Sequence, residues 1–183
     1  MPFTETPLKD LWLFEPRIFE DDRGYFYESF NQNEFTKATG ITSPFIQDNH
    51  SFSKKGVLRG LHFQKPPHAQ AKLIKVIQGT IWDVVVDLRK DSPTFSQHLG
   101  FELSAGNKKQ LYVPQGFAHG FIVLSDSAEV LYKCDNFYAP QAESGIIYND
   151  SDLAIDWKID SSNIIISEKD AVLATFQPSN IPF

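Results

Sequence analysis

The chain has 183 residues, 42% of them hydrophobic and 22% charged, with 16 Phe, 6 Tyr and 3 Trp. This is one domain's length with ample material for a core, which excludes disorder as a whole-chain description. The net charge of −6 argues against a nucleic-acid binder, which needs a positive face, and the single cysteine, Cys134, excludes an intramolecular disulfide and a four-cysteine zinc site.

No apolar run approaches the roughly 18 residues of a membrane-spanning helix. The opening MPFTETPLKD lacks the basic-then-apolar order of a secretory signal, so the chain is expected to be cytoplasmic, with no membrane or nucleic-acid partner.

In chain order, turn residues and period-two alternation predict strands over 24–30, 45–52, 57–63, 72–78, 81–88, 97–103, 110–113, 120–124, 128–132 and 145–148. In the first, Glu28 sits between Phe26 and Phe30 on one face, a carboxylate among aromatics that is either paired or wrongly placed by this reading. Asn31 is expected to cap a short helix running to Thr39, ended by Gly40. Gln47 and Asn49 share a face, either as a solvated edge or as a pair that reads a flat ring or an amide. The strands over 72–78 and 81–88 form a hairpin at Gly79-Thr80. Lys72 shares its face with Ile74 and Val76, so it either snorkels to water from the strand start or faces a pocket. In the next strand Trp82, Val84, Val86 and Leu88 lie on one face, and Asp83, Val85 and Asp87 on the other. Tyr132 shares a face with Val130 and Cys134, which turns its phenol inward. Ser167-Glu168-Lys169-Asp170 reads as a capping box before a second helix over 171–176. Many short strands punctuated by Gly and Pro predict an all-β jelly roll, a single domain over 1–183 that can enclose a ligand.

Five histidines occur: His50, His62, His68, His98 and His119. A regular strand puts Arg59 and His62 on opposite faces, so both serve one pocket only if the chain bends at Gly60. "KLIKVIQG" followed by "VPQGFAHGF" resembles the two motifs of the cupins, β-barrels that often bind a metal. Counting back from Gly79 places Lys72 where the cupin glutamate ligand belongs, and the first histidine position falls on Lys65 or Pro66. That leaves His119 and at most His68, short of the three protein ligands of a catalytic site. The scaffold therefore reads as a cupin-like barrel without its metal.

Several long strings narrow the resemblance: "FEPRIFEDDRGYFYESF", "FIQDNHSFSKKGVLRGLHFQ", "AQAKLIKVIQGTIWDVVVDLRKDSPTF", "YVPQGFAHGFIVLSDSAEVLYKC" and "SEKDAVL". Together they resemble the dTDP-4-dehydrorhamnose 3,5-epimerases, from about Leu11 to Leu173. The resemblance implies a dTDP-4-keto-6-deoxyhexose substrate and no redox cofactor or metal, because the 4-keto group itself makes the protons on C3 and C5 removable. It implies His62 as the base, Asp170 as the group orienting it, Lys72 at the enolate oxygen and Tyr132 as the acid on the opposite face. It places Arg23, Arg59 and Lys169 at the diphosphate, and Gln47, Asp48, Asn49 and His119 at sugar or phosphate. Glu28 and Glu143 are implied at other substrate hydroxyls or at the base, with Tyr138 a secondary acid. It also implies a homodimer in which N-terminal strands carry Arg23 and Glu28 to the other chain's pocket. The alternatives are a mono-epimerase or 3,4-ketoisomerase on the same scaffold, a non-catalytic nucleotide-sugar binder, and a metal oxygenase.

Overall fold

Two antiparallel sheets face each other in the computed structural model, which describes residues 2–183. In chain order the strands are β1 (Phe3–Glu5), β2 (Trp12–Phe14), β3 (Phe19–Asp21), β4 (Gly24–Phe26), β5 (Gln47–Lys54), β6 (Leu58–Gln64), β7 (Lys72–Gln78), β8 (Thr80–Asp87), β9 (His98–Ser104), β10 (Gln110–Val113), β11 (Phe117–Val123), β12 (Ser127–Cys134) and β13 (Glu143–Gly145). The helices are α1 (Gln32–Thr39) and α2 (Glu168–Ala171). One sheet runs β1-β2-β10-β7-β12-β5 and the other β13-β6-β11-β8-β9, while β3 and β4 form a separate hairpin. This is the all-β jelly roll expected from the strand spacing, with the cupin-like form that the motif resemblance implies.

Period-two alternation decides what each face buries. Ile74 and Val76 of β7, Ile81 and Val85 of β8 and Val130 of β12 form the core between the sheets. The opposite face of β8, Val84 and Val86, packs with Leu153, Trp157 and Phe176 of the C-terminal segment, which explains why β8 is apolar on both sides. On the outer face of the six-stranded sheet, α1 inserts Phe35 against Leu73 and Tyr112. Full burial of that ring stabilises the helix by roughly 1.5–3 kcal/mol. The ends of α1 are those predicted: the Asn31 side chain accepts from the N–H groups of Asn33 and Glu34, and Gly40 closes the helix in the left-handed region at φ 76°.

Several expectations are corrected. The strand expected over 24–30 ends at Phe26, because β4 pairs only with β3 and the backbone beyond Phe19↔Phe26 has no neighbouring edge. Glu28 therefore lies outside any strand and is exposed, so it does not sit on an aromatic face. The strand expected over 145–148 lies earlier, at Glu143–Gly145, where it pairs with β6. The helix expected over 171–176 is the short α2, 168–171; the chain then runs out so that Phe176 reaches the C-terminal core, its N–H donating to Asp150 Oδ2 at 2.7 Å. β1, β2 and β3 were not foreseen, since three residues are too few to show a period.

Candidate active site

A cavity of about 510 Å³ opens between the sheets, lined by Arg59, His62, Lys72, His119, Tyr132, Lys169 and Asp170 among others. A smaller space of about 110 Å³ adjoins it, lined by Gln47, Asn49, Tyr138 and Glu143 and sharing His62, Lys72 and Tyr132. These three side chains, from β6, β7 and β12, thus stand at the junction of both.

The bend required at Gly60 is present. Gly60 sits at φ +115°, and the pairing of β6 with β11 shifts register between His119 and Phe121. A Cβ on Gly60 would lie 2.6 Å from Gly120 Cα and 2.7 Å from the His119 carbonyl oxygen, so only glycine fits this close approach. The irregularity turns both Arg59 and His62 toward one cavity.

Asp170 reaches the site from α2. Its Oδ1 accepts from His62 Nε2 at 2.7 Å, and its Oδ2 accepts from the Gly60 N–H at 3.1 Å. Only half of the capping box forms: Ser167 Oγ accepts from the Asp170 N–H at 3.1 Å, while the Asp170 carboxylate turns away to the histidine. With the proton on Nε2, the lone pair is left on Nδ1. Burial pushes the His62 pKa below its ordinary value; Asp170 and Glu143 oppose the fall and Lys72 adds to it. The imidazole is therefore neutral at neutral pH, with a lone pair on Nδ1 that can take a proton.

Burial lowers the Lys72 pKa and raises that of Tyr132, whose phenol stays protonated. The Lys72 ammonium lies 6.0 Å from the Tyr132 ring centroid. At the rim, Tyr138 Oη donates to Glu143 Oε2 at 2.6 Å, and Lys169 Nζ pairs with Glu143 Oε1 at 2.6 Å. Against its desolvation, these two donors hold the Glu143 carboxyl below its ordinary pKa. Gln47 Oε1 accepts from the Tyr138 N–H, and Gln47 Nε2 donates to Asn49 Oδ1, so the pair that shares a face also fixes the Tyr138 loop.

Three expected site residues are not brought to this cavity by their own chain. Asp48 alternates away from Gln47 and Asn49 and binds Lys133 Nζ at 2.9 Å on the outer face. The Arg23 side chain is 90% exposed and bound to Asp21. Glu28 follows the same hairpin and is exposed. Conversely, sequence reasoning assigned no role to Asp83, whose Oδ2 accepts from His119 Nε2 at 2.8 Å inside the barrel. The signal was its place on the Val85 face. Gln64 was also missed; it accepts from the Ala139 N–H and donates to the Phe137 carbonyl, bracing the loop that carries Tyr138. Among the described residues, no three His, Cys, Asp or Glu side chains converge as metal ligands.

Comparison with known proteins identifies the family. The family model described as dTDP-4-dehydrorhamnose 3,5-epimerase matches residues 5–178. The enzyme of that name from Escherichia coli K12 is 51% identical over 175 residues, 96% of this chain and 94% of that protein. The crystal structure of the Elizabethkingia anophelis NUHP1 enzyme superposes with a TM-score of 0.94 at 56% identity, covering 96% of each chain. That of a dTDP-6-deoxy-D-glucose-3,5-epimerase from Legionella pneumophila, in complex with dTDP-4-keto-L-rhamnose, superposes with a TM-score of 0.92 at 46% identity, covering 98% of this chain and 94% of that one. On sequence and fold together, the chain belongs to the dTDP-4-dehydrorhamnose 3,5-epimerase family.

Proposed function

We propose that this chain inverts C3 and C5 of dTDP-4-dehydro-6-deoxy-D-glucose to give dTDP-4-dehydro-L-rhamnose. The observation that carries the reading is the meeting of a neutral, aspartate-held His62 with Lys72 and the protonated Tyr132 at one point of the cavity. His62 takes the proton from the carbon beside the ketone, and the electron pair of the broken C–H bond moves onto O4 as an enolate. Lys72 holds that oxygen, a fixed cation where negative charge develops. Tyr132 then gives its proton to the carbon from the opposite face, as the enolate electrons return to form the new C–H bond. Solvent takes the proton from His62 and restores that of Tyr132, so each inversion is proton-neutral. Arg59 and Lys169 meet the diphosphate, His119, Gln47 and Asn49 the sugar or phosphate, and Glu143 and Tyr138 close the rim. The test is incubation with the 4-keto sugar in D₂O, read by NMR. Deuterium at both C3 and C5 with inversion is expected. Label at one carbon would mean a mono-epimerase, movement of the carbonyl to C3 a ketoisomerase, and no label a binder.

The working unit we propose is a homodimer with shared sites. Among the described residues the β3–β4 hairpin pairs only with itself, and Phe19, Tyr25 and Phe26 are exposed on it, Phe26 by 70%. An apolar patch of this kind suits an interface, and from there Arg23 and Glu28 would serve the neighbouring cavity. Mixing His62→Ala chains with Arg23→Ala chains should restore activity in about a quarter of the sites, because a two-fold mixed dimer keeps one intact site. No recovery after verified subunit exchange would sink the shared site.

A further inference from the structure

Inside the barrel, one carboxylate oxygen and one lysine nitrogen make no hydrogen bond among the described residues. Asp83 is fully buried on β8; its Oδ2 is held by His119, but its Oδ1 has no hydrogen-bond partner among the described residues. Lys72 Nζ likewise makes no hydrogen bond or ion pair among the described residues. The other carboxylates at the site are committed. Asp170 is taken by His62 and the Gly60 N–H, and Glu143 by Lys169 and Tyr138.

Burial favours the neutral amine, so a lysine kept as a cation in this place needs a counter-charge. A direct ion pair would supply one, but it would tie up the N–H donors and hold the ammonium against the wall. We propose that Asp83 is a positioning residue for Lys72: a carboxylate fixed by His119, it keeps the ammonium charged from beyond hydrogen-bond reach and leaves its N–H donors to a substrate oxygen. This rests on the assignment of Lys72 to the enolate oxygen.

The titratable and charged groups around Lys72 are Tyr132 and Cys134 on β12, Arg59 and His62 on β6, His119 on β11, Asp83 on β8, Glu143 on β13, Tyr138 in the loop before it, and Lys169 and Asp170 on α2. After burial, which lowers the Lys72 pKa, the opposing influences are Cys134, Asp83 and Glu143. The Cys134 thiol is itself pushed up by burial and carries no charge near neutrality, and Glu143 is already paired. Asp83 remains, a carboxylate with one oxygen on His119 and the other without a hydrogen-bond partner.

The experiment is a pH titration of the Lys72 Cε resonance in lysine-¹³C-labelled enzyme, assigned through Lys72→Met. Asp83→Asn keeps the size and an acceptor for His119 but removes the charge. Lys72 should then lose its proton at lower pH, by about one unit, and the alkaline limb of kcat should move with it while KM changes little. An unmoved Lys72 titration in a folded Asp83→Asn enzyme would overturn the proposal. Two measurements stand if that variant fails to fold. In the wild type, Lys72 should be charged at neutral pH, and a neutral amine there would also overturn it. In His119→Gln, which keeps the Asp83 charge, Lys72 should remain charged at neutral pH, and its loss of charge would show that the Asp83 charge does not suffice. Full activity of Lys72→Met would remove the catalytic role of Lys72 but leave the titration result intact, so the two ideas fail separately.

Discussion

Two His–Asp pairs present their histidines to the same cavity, with nearly equal bonds of 2.7 Å for His62–Asp170 and 2.8 Å for His119–Asp83. They differ in access. The His62 side chain is 29% exposed and its aspartate 5%, whereas His119 is 9% exposed and its aspartate 0%. They also differ in construction. His119–Asp83 joins adjacent strands of one sheet, β11 and β8, and is sealed by them. His62–Asp170 spans 108 residues of sequence and joins a bulged strand to a short helix at the cavity mouth. A group that moves protons must meet both substrate and solvent, so bond length alone does not make a catalytic dyad. The open pair suits the base; the sealed pair suits a wall that fixes charge.

The sharpest way to break this contrast is to remove each histidine in turn. His62→Ala should abolish deuterium uptake at both C3 and C5, lowering kcat by about 10²–10⁴-fold, the usual contribution of a positioned base. His119→Gln should leave exchange at both carbons measurable and act mainly on KM. Exchange that survives His62→Ala but not His119→Gln would reverse the assignment. Next in size is Tyr132→Phe, expected to lower inversion by about 10²-fold while deuterium still enters with retained configuration. Full inversion by this variant would move the acid to Tyr138 or water.

How much of this was legible in the sequence depends on how local each signal is. The β7–β8 hairpin, the Asn31 and Gly40 caps and the inward face of Tyr132 follow from neighbours within a few residues, whereas alternation leaves Lys72 open between snorkelling and a pocket, and only the cavity decides it. The bend at Gly60 was only a condition, because a positive φ and the approach of Gly120 depend on a strand about sixty residues away. Alternation separates Asp48 from Gln47 and Asn49, but the family strings group all three, and here the alternation describes where the side chain goes. Asp83 escaped notice for the opposite reason: an acid beside Val85 reads as a strand edge until His119 is seen across the sheet. The half-formed capping box shows the same limit. Ser167 and Asp170 predict a helix start, yet nothing local tells that the carboxylate is claimed by His62.

A smaller effect tests the bulge that opens the first dyad. Gly60→Ala would force a side chain into the left-handed region and against the Gly120 backbone. A strained backbone position of this kind costs about 1–3 kcal/mol, so Tm should fall by about 5 °C. Gly106→Ala is the control, since a Cβ there meets only Ser104 Oγ at 3.6 Å, and its Tm should hardly move. Equal Tm values for the two variants would mean that the bulge can be rebuilt without glycine.

The smallest expected effect is a displacement of the acidic limb of kcat/KM, and its sign separates the influences on the open dyad. Burial lowers the His62 pKa, so the imidazole stays unprotonated to lower pH than a free histidine and the wild-type limb should lie below about pH 6.5. Asp170 opposes that fall and Lys72 reinforces it. Asp170→Asn should therefore move the limb further to acid, although the rate also drops because the ring loses the acceptor that fixes its tautomer. Lys72→Met removes a neighbouring positive charge, which should move the limb toward higher pH. Both variants are slower than wild type, but their limbs should shift in opposite directions. A general loss of structure would move both the same way or neither. Parallel shifts in two variants that keep their fold would show that the limb reports a group other than His62.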